Sequence, residues 1–202
     1  MRFFHLSDLH IGLKLMNRDL GEDQRFIFRE IADYAAAYKP DAIVIAGDIY
    51  DKAVPSAEAV ELFDDFTAML MAAAPEAVIM MISGNHDSAA RVNVFRNVLA
   101  RHDLYMIGQP PRREEDRIEQ VVLKDAHGDV TFYLLPFVKP SMVKQIVGTA
   151  ENGNNLSYNE TLHRLIARES IDTSGRNVLV SHQFYLPVGR SADEVGRMDS
   201  QT

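Results

Sequence analysis

Residues 41–48 read DAIVIAGD, and this stretch decides the fold class. The apolar run Asp41–Ala46 has the length of a strand rather than a helix, and Gly47 and Asp48 end it abruptly. A short apolar run closed by a turn signal is typical of a buried strand. The stretch therefore predicts a strand inside the core that delivers a carboxylate where it ends.

The same alternation of apolar runs and amphipathic segments continues on both sides. Further buried strands are predicted at Arg2–Ser7 and Ala77–Ser83. One helix is predicted over Glu22–Lys39, and another from the N-cap Ser56 to about Ala73. The first helix is recognised from apolar residues at helical spacing, namely Phe26, Ile27, Ile31, Tyr34 and Tyr38.

The second half of the chain changes character. Two strand-like runs, Ile118–Lys124 and Val130–Leu135, are joined by a turn-rich loop and predict a hairpin. The remaining predicted elements are helices at Ala89–Arg101, Ser141–Val147 and Tyr158–Ile171 and strands at Leu104–Ile107 and Asn177–Ser181. Strand–helix alternation followed by strand pairs predicts an α/β sandwich with mixed sheets, in one domain over residues 1–202. No periodic element is expected from about Gly189 onward.

Composition excludes several kinds of protein. The chain has 202 residues and no cysteine, which rules out a disulfide-stapled secreted protein and any cysteine-held zinc or iron–sulfur cluster. The formal net charge of −8 argues against a surface that grips nucleic-acid phosphates, although divalent ions would attract phosphate locally. No apolar run is long enough to span a bilayer, and the opening MRFFHLSDLH is too polar for a signal peptide. A cytoplasmic protein without membrane contact is therefore expected.

Polar residues recur directly after the predicted strands. They are Asp8 and His10 after the first strand, Asp48 after the second, Asn85, His86 and Asp87 after the third, and His182 after the last. Ligands in α/β proteins bind in the crevice beyond the carboxyl ends of the strands. The sequence therefore predicts one site built from these side chains.

These residue types fit divalent metal ions. Asp8 and His10, two positions apart, would point the same way from an extended backbone and share one ion. Asp48 would bridge two ions through its two oxygens, while Asn85 and His182 would offer an oxygen and a nitrogen to the second. Mn²⁺, Fe²⁺, Mg²⁺ and Zn²⁺ all remain open, and mixed carboxylate and imidazole ligation suits Mn²⁺. Two ions about 3.5–4 Å apart are a standard device for phosphoester cleavage.

The other motif residues have narrower expected roles. His86 is expected to stabilise transition-state charge or to protonate the leaving oxygen, and Asp87 to orient His86. Gly47 and Gly84 are expected to let the backbone turn sharply. Asp51 is either a carboxylate behind the site or merely part of a loop. Each motif alone is also a common turn or a structural histidine, so it is their order, each after a predicted strand, that indicates a site.

At these motifs the sequence resembles the calcineurin-like metallophosphoesterase superfamily. The resembling segments are FFHLSDLHIG, IVIAGDIYDKAVPSAEAVELFDDF, ISGNHDSAARVNVFRNVLA, LLPFVKP and VLVSHQF, which together extend over nearly the whole chain. Within the superfamily, GDIYDKAVPS and VLVSHQF are similar to the branch of bacterial nuclease subunits that pair with an SbcC-type ATPase.

The resemblance implies a four-layer α/β/β/α sandwich with two Mn²⁺ ions. The implied site has Asp8 and His10 on the first ion, Asp48 between the ions, Asn85 and His182 on the second ion, and His86 as the catalytic histidine. The implied activity is exonucleolytic cleavage of duplex DNA ends and endonucleolytic cleavage of single strands and hairpins, in DNA repair, recombination and replication. A homodimer is also implied, with the ATPase controlling access to DNA.

One departure from the superfamily pattern follows His182. The pattern continues to a Gly-His-x-His motif, which supplies one further histidine to each ion. Here the chain runs on as QFYLPVGRSADEVGRMDSQT without it, which implies an N-terminal fragment that is weak or inactive by itself.

Two other functions stay open at this point. The same fold could hydrolyse a nucleotide, a phosphoprotein or another small phosphoester, and turnover of linear DNA against a generic phosphodiester would separate these. The chain could also be a catalytically incomplete module for dimerisation or partner binding. Absence of metal from a metal-soaked crystal would support that interpretation.

Overall fold

Two β-sheets with helices on their outer faces make up residues 1–185, the part of the chain that the computed structural model describes. The first half contains β1 (Phe3–Leu6), β2 (Lys14–Leu15), β3 (Arg18–Asp19), α1 (Gly21–Tyr38), β4 (Ala42–Ala46), α2 (Ala57–Ala73), β5 (Val78–Ile82), α3 (Ala89–Val92), α4 (Arg96–Leu99) and β6 (Leu104–Ile107). Four of these strands form a parallel sheet in the order β1-β4-β5-β6, and β2 pairs with β3 in a small hairpin.

The second half forms a three-stranded sheet with its own helices. Its elements are β7 (Glu119–Asp125), β8 (Gly128–Leu135), α5 (Pro140–Val147), α6 (Tyr158–Ala167) and β9 (Arg176–Ser181). β8 is antiparallel to β7, as the predicted hairpin required, and parallel to β9. The mixed pairing expected from the sequence is therefore found in this second sheet, whereas the first sheet is parallel throughout the described residues.

Three apolar clusters separate four layers. Helices α1 and α2 pack on one face of the first sheet, where Phe28 and Phe66 stack with ring centroids 4.1 Å apart. The inner faces of the two sheets meet around Val44 and Phe132, and α5 and α6 cover the outer face of the second sheet around Leu165. β4 is buried along its whole length because its alternate residues face different clusters, which explains the unbroken apolar run in DAIVIA. The predicted α/β/β/α sandwich is confirmed.

One expectation about burial was wrong, and the packed face of α1 differs from its large apolar residues. β1 is not a buried strand, because it ends the strand order of the first sheet and Phe3 and His5 are exposed. The apolar spacing in α1 predicted a helix correctly but not its packed face. Phe26 and Tyr34 are 60% and 58% exposed, while smaller residues such as Ala35 face the sheet.

Two helices are shorter than predicted. The segment 89–101 is not one helix, because Phe95 takes a left-handed conformation with φ of 61° between α3 and α4, and a 3₁₀ turn follows at Ala100–His102. The helix expected over Tyr158–Ile171 ends at Ala167. The prediction for the chain from Gly189 onward lies outside the described residues. Among residues 1–185, no helix combines the length and the apolar character needed to cross a membrane.

Candidate metal centre

The loops after β1 and β4 run side by side beyond the ends of their strands. The backbone N–H groups of Asp8, His10 and Ile11 donate to the carbonyl oxygens of residues 47, 48 and 49, at 3.1, 3.0 and 2.9 Å. This ladder extends the β1–β4 pairing past the sheet. It places the two loops that carry the first three predicted ligands in direct contact.

Three predicted ligands adopt left-handed backbone conformations, which non-glycine residues rarely do. The φ angles are 55° at Asp8, 43° at His10 and 48° at Asp48. Such conformations cost on the order of 1–3 kcal/mol each and cluster at functional sites, where the surrounding structure enforces them. The expectation that Asp8 and His10 converge from an extended backbone was therefore wrong. They do converge, with His10 Nε2 3.8 Å from Asp8 Oδ1, but each does so from a left-handed backbone.

The carboxylate of Asp48 lies at the centre of the site and is almost fully buried. Its Oδ2 is 3.7 Å from His10 Nε2 and 3.4 Å from His182 Nε2, and its Oδ1 accepts a hydrogen bond from the His86 backbone N–H at 2.8 Å. One carboxylate therefore faces a histidine from each sheet. This is the arrangement expected of a group shared by two ions.

His182 reaches this centre from the second sheet. Its Nδ1 lies 2.7 Å from the carbonyl oxygen of Ala46. A carbonyl can only accept, so Nδ1 carries a hydrogen, and Nε2 is the ring nitrogen that lies towards Asp48. A hydrogen bond that fixes the far nitrogen in this way is the usual support of a metal-binding histidine.

Two glycines allow these approaches. A Cβ on Gly47 would lie 2.4 Å from the His182 ring, and a Cβ on Gly84 would lie 2.1 Å from Asp48 Oδ1. Gly47 also has a φ of 95°, so the predicted turn is found there. Gly84 does not have a positive φ, so a sharp turn does not explain the glycine there. Glycine is needed at this position because a side chain would collide with Asp48.

The His86 side chain is exposed and is oriented by Asp51. Its Nδ1 is 3.0 Å from the Asp51 carbonyl oxygen, and its ring meets the His10 ring edge-to-face with centroids 4.8 Å apart. The hydrogen bond to that carbonyl, assisted by the charges of Asp48, Asp51 and Asp87, raises the pKa of His86 above its usual value of 6.5. Among the described residues, the Nε2 atom of His86 has no hydrogen-bond partner.

Asp87 performs a different task from the one expected. Its carboxylate accepts from the backbone N–H groups of Ile49, Tyr50 and Gly84, at 3.0, 2.9 and 2.8 Å. It therefore ties the loop after β4 to the loop after β5. The residue whose carbonyl holds the His86 ring is Asp51, not Asp87. The sequence left two alternatives open for Asp51, a carboxylate behind the site or merely part of a loop. The structure favours the first, because Asp51 supports a side chain of the site.

Sequence reasoning missed Gln24, on the first turn of α1. Its side-chain amide donates to the carbonyl oxygens of Leu9 and His10 and accepts from the N–H of Gly12. In the sequence it is one polar residue among several in GEDQR, and no pattern distinguishes it.

Two overlapping groups of side chains could each hold an ion. One is His10, Asp48 and His86, and the other is Asp8, Asp48 and His182, with the donor atoms of each group within 4.8 Å of one another. Asp48 belongs to both groups. Asp8 therefore lies near His182 as well as near His10. A ring nitrogen of His86 lies within 4.8 Å of a ring nitrogen of His10, so these two histidines could bind the same ion. Asn85 is exposed in the same loop, between Gly84 and His86.

Comparison with known proteins agrees with this geometry. The Calcineurin-like phosphoesterase family model matches residues 1–185. The chain is 30% identical over 195 residues to a protein of Staphylococcus epidermidis named as the D subunit of the SbcCD nuclease, covering 96% of this chain and 49% of that protein. It is 28% identical over 184 residues to the protein of the same name from Staphylococcus saprophyticus subsp. saprophyticus, covering 90% and 46%. The chain therefore spans about half the length of these relatives. With its sandwich fold and its rim of Asp and His side chains, the chain belongs to the calcineurin-like phosphoesterase family.

Proposed function

We propose that the protein is the nuclease component of a DNA-processing complex and hydrolyses phosphodiester bonds with two divalent metal ions. The observation that carries the proposal is the position of Asp48. Its Oδ2 lies within 3.7 Å of a histidine nitrogen from each of the two sheets. Imidazole and carboxylate groups that converge around one buried carboxylate are the donor set of a dinuclear centre.

We propose Mn²⁺ as the ion, because mixed carboxylate and imidazole ligation suits it. Only oxygen and imidazole nitrogen are offered, and the chain has no thiolate to favour softer ions. When bound, two such ions supply a hydroxide near neutral pH and bind the phosphate oxygens.

The protein residues then have distinct roles. Asp8 and His10 would hold the first ion, Asp48 would be shared by both ions, and Asn85 and His182 would hold the second. His86 faces the scissile phosphate with its free Nε2. With Nδ1 donating to the Asp51 carbonyl and its pKa raised, His86 is suited to stabilise negative charge and to protonate the leaving oxygen. Asp87 assists by holding the two ligand loops together.

DNA is the proposed substrate rather than a small phosphoester. The support is the name of the two relatives, whose matched regions cover nearly all of this chain. We infer exonuclease activity on duplex ends and endonuclease activity on single strands and hairpins, in DNA repair and recombination. An SbcC-type ATPase is the proposed partner, because the relatives belong to an SbcCD nuclease. The net charge of −8 means that the ions and that partner supply most of the attraction for phosphate.

We further propose a homodimer in the cytoplasm. Within residues 1–185, three apolar residues close together in the sequence, Val94, Phe95 and Val98, are 50%, 71% and 57% exposed. Exposed apolar side chains that lie near one another are a feature of protein–protein interfaces. Light scattering on the purified protein tests the dimer, and Phe95→Asp should shift a dimer to the monomer.

The first experiment is digestion of end-labelled linear duplex DNA in Mn²⁺ by the protein produced at the full length of its gene. His86→Ala is the test variant, and His102→Ala, an exposed histidine outside the site, is the matched control. We expect digestion by the wild type and by His102→Ala but not by His86→Ala. If DNA survives while bis-p-nitrophenyl phosphate is cleaved, the protein is a small-phosphoester hydrolase. If neither is cleaved and Mn²⁺ does not bind, the chain serves as a binding module.

A further inference from the structure

The backbone around His10 is held in part by its own N–H, which donates to the Asp48 carbonyl at 3.0 Å, and by the Leu13 N–H, which donates to the His10 carbonyl at 3.0 Å. The φ of 43° at His10 is unfavourable for a residue with a Cβ, so the segment around it would relax unless other groups held it. The imidazole is also incompletely fixed. Nδ1 is buried without a hydrogen bond, and the nearest acidic oxygen to it, on Asp51, is 3.8 Å away. The orientation of the ring therefore depends on how firmly the backbone is held.

Gln24 holds that backbone at three points. Its Nε2 donates to the carbonyl oxygens of Leu9 at 3.0 Å and His10 at 2.9 Å, and its Oε1 accepts from the N–H of Gly12 at 3.1 Å. Both amide hydrogens and the amide oxygen are used. The contacts lie on both sides of His10, so a shift of the segment in either direction breaks at least one of them.

Gln24 is itself held in place by α1. Its backbone N–H donates to the Leu20 carbonyl at 2.8 Å, and one turn further on Phe28 is buried and stacks on Phe66. The helix is thus fixed to the first sheet through α2. A side chain with one donor group and one acceptor group at this position transmits that rigidity to the left-handed segment.

We propose that Gln24 is a positioning residue for the metal centre and acts through His10. This inference rests on the proposed function, because it takes His10 as a ligand. Gln24 touches neither substrate nor metal. It keeps His10 Nε2 turned towards Asp8 and Asp48, at 3.8 and 3.7 Å, so that the ligand is preformed before an ion arrives.

The test compares the Mn²⁺ affinity of the wild type with that of Gln24 variants and a control variant, and it needs no DNA. Gln24→Met removes all three hydrogen bonds at similar side-chain volume. Gln24→Glu keeps an acceptor for Gly12 but places a carboxylate against two carbonyl oxygens. Asp23→Asn, exposed on the same helical turn, is the control. Mn²⁺ affinity is measured by electron paramagnetic resonance, and the melting temperature is measured in EDTA and in Mn²⁺.

We expect Gln24→Met to weaken Mn²⁺ binding roughly 10–100-fold, the range found when partners behind a metal ligand are removed. Its Mn²⁺-induced rise in melting temperature should shrink, while Asp23→Asn keeps the wild-type rise. Because Gln24 acts through His10, Gln24→Met should weaken binding no further in a His10→Ala background. If Gln24→Met does not fold, the same measurements are made on Gln24→Glu, with the same expected loss of Mn²⁺ affinity.

Two results would overturn the proposal. One is unchanged Mn²⁺ affinity in a folded Gln24 variant. The other is an equal loss of affinity in the wild-type and His10→Ala backgrounds, which would mean that Gln24 supports the fold at large. A wild-type protein that binds no Mn²⁺ would overturn the metal centre and this proposal together. A protein that binds Mn²⁺ with the expected pattern but leaves DNA intact would contradict the nuclease function alone.

Discussion

The Nδ1 atom of His182, just beyond β9, lies 2.7 Å from the carbonyl oxygen of Ala46, the last residue of β4. The two strands belong to different sheets, so this hydrogen bond joins the sheets at the rim where the predicted ligands meet. It also leaves His182 Nε2 facing Asp48 at 3.4 Å. The packing of the sandwich and the assembly of the site therefore depend on the same contact.

Gly47 is the residue that makes room for this contact. A Cβ there would lie 2.4 Å from the His182 ring. We expect Gly47→Ala to lower the free energy of unfolding by about 1–2 kcal/mol through its left-handed φ of 95°, with about 1–3 kcal/mol more from the clash. Mn²⁺ binding should weaken as His182 is displaced.

Gly128→Ala is the matched control for that prediction. Gly128 has a similar φ of 104°, but nothing lies within 4 Å of its missing Cβ. Urea unfolding and Mn²⁺ titration of both variants isolate the clash from the backbone strain. Equal losses in the two variants would mean that His182 moves aside at no cost and that the rim contact is unimportant.

Much of the fold could be predicted from the sequence because burial on two faces leaves a continuous apolar run. DAIVIAGD shows this for β4, and the site loops could be found because Asp48 follows such a run. The packed face of α1 could not be predicted. Phe26 and Tyr34 have the helical spacing, yet the sheet is faced by smaller residues such as Ala35, which depends on how closely the helix approaches.

The supporting contacts of the site could not be predicted either. Asp87 is adjacent to His86 in sequence, but its carboxylate turns to the backbone of the loop after β4. Asp51 provides the carbonyl that holds His86, and main-chain acceptors leave no mark on a sequence. Gln24 comes from another element altogether. The sign of φ and tertiary hydrogen bonding decide these details, and neither follows from residue type or spacing.

Asp87 is predicted to act chiefly as a link between loops. Asp87→Asn keeps one acceptor but turns an NH₂ group towards backbone donors, so at least one buried N–H loses its partner. We expect a loss of about 1–3 kcal/mol in the free energy of unfolding, measured by urea denaturation in EDTA. Asp33→Asn, an exposed carboxylate on α1, should change it by under about 0.5 kcal/mol. A similar small change in Asp87→Asn would show that its three hydrogen bonds are dispensable.

The pKa of His86 should lie above 6.5 in the metal-free protein, chiefly because its ring donates to the Asp51 carbonyl. A raised pKa means that protonated His86 stabilises the fold fully below pH 6.5, and that this contribution is lost as the pH rises through the folded-state value. Asp51→Asn removes a charge but keeps the carbonyl. NMR titration in EDTA should therefore show that the pKa of His86 in Asp51→Asn is raised by less than in the wild type but still lies above the usual value. A fall to the usual value or below would mean that the carboxylate, not the backbone, holds the ring.

Asp125 joins the second sheet to the start of the chain, away from the site, and gives a prediction in acid. At the end of β7 it accepts from both terminal nitrogens of Arg176, at 2.9 and 2.7 Å, and from the Met1 amino group at 2.7 Å. These hydrogen bonds, first those of Arg176, hold the pKa of Asp125 well below its usual value of 3.8. Its contribution to stability is therefore complete above that usual value, and it is lost as the pH falls further and the unfolded chain takes up a proton.

Asp125→Asn should accordingly have a lower free energy of unfolding than the wild type. The difference should be constant between about pH 7 and about pH 5 and should become smaller below about pH 4. Urea unfolding across about pH 7 to 3 measures it, with the exposed Asp129→Asn as the control. A difference that grows in acid would contradict the lowered pKa, because only a carboxyl that is protonated more readily in the folded state than in the unfolded chain gains stability as the pH falls. The contacts of Asp125 with Arg176 and with the Met1 amino group would then not stabilise the folded protein.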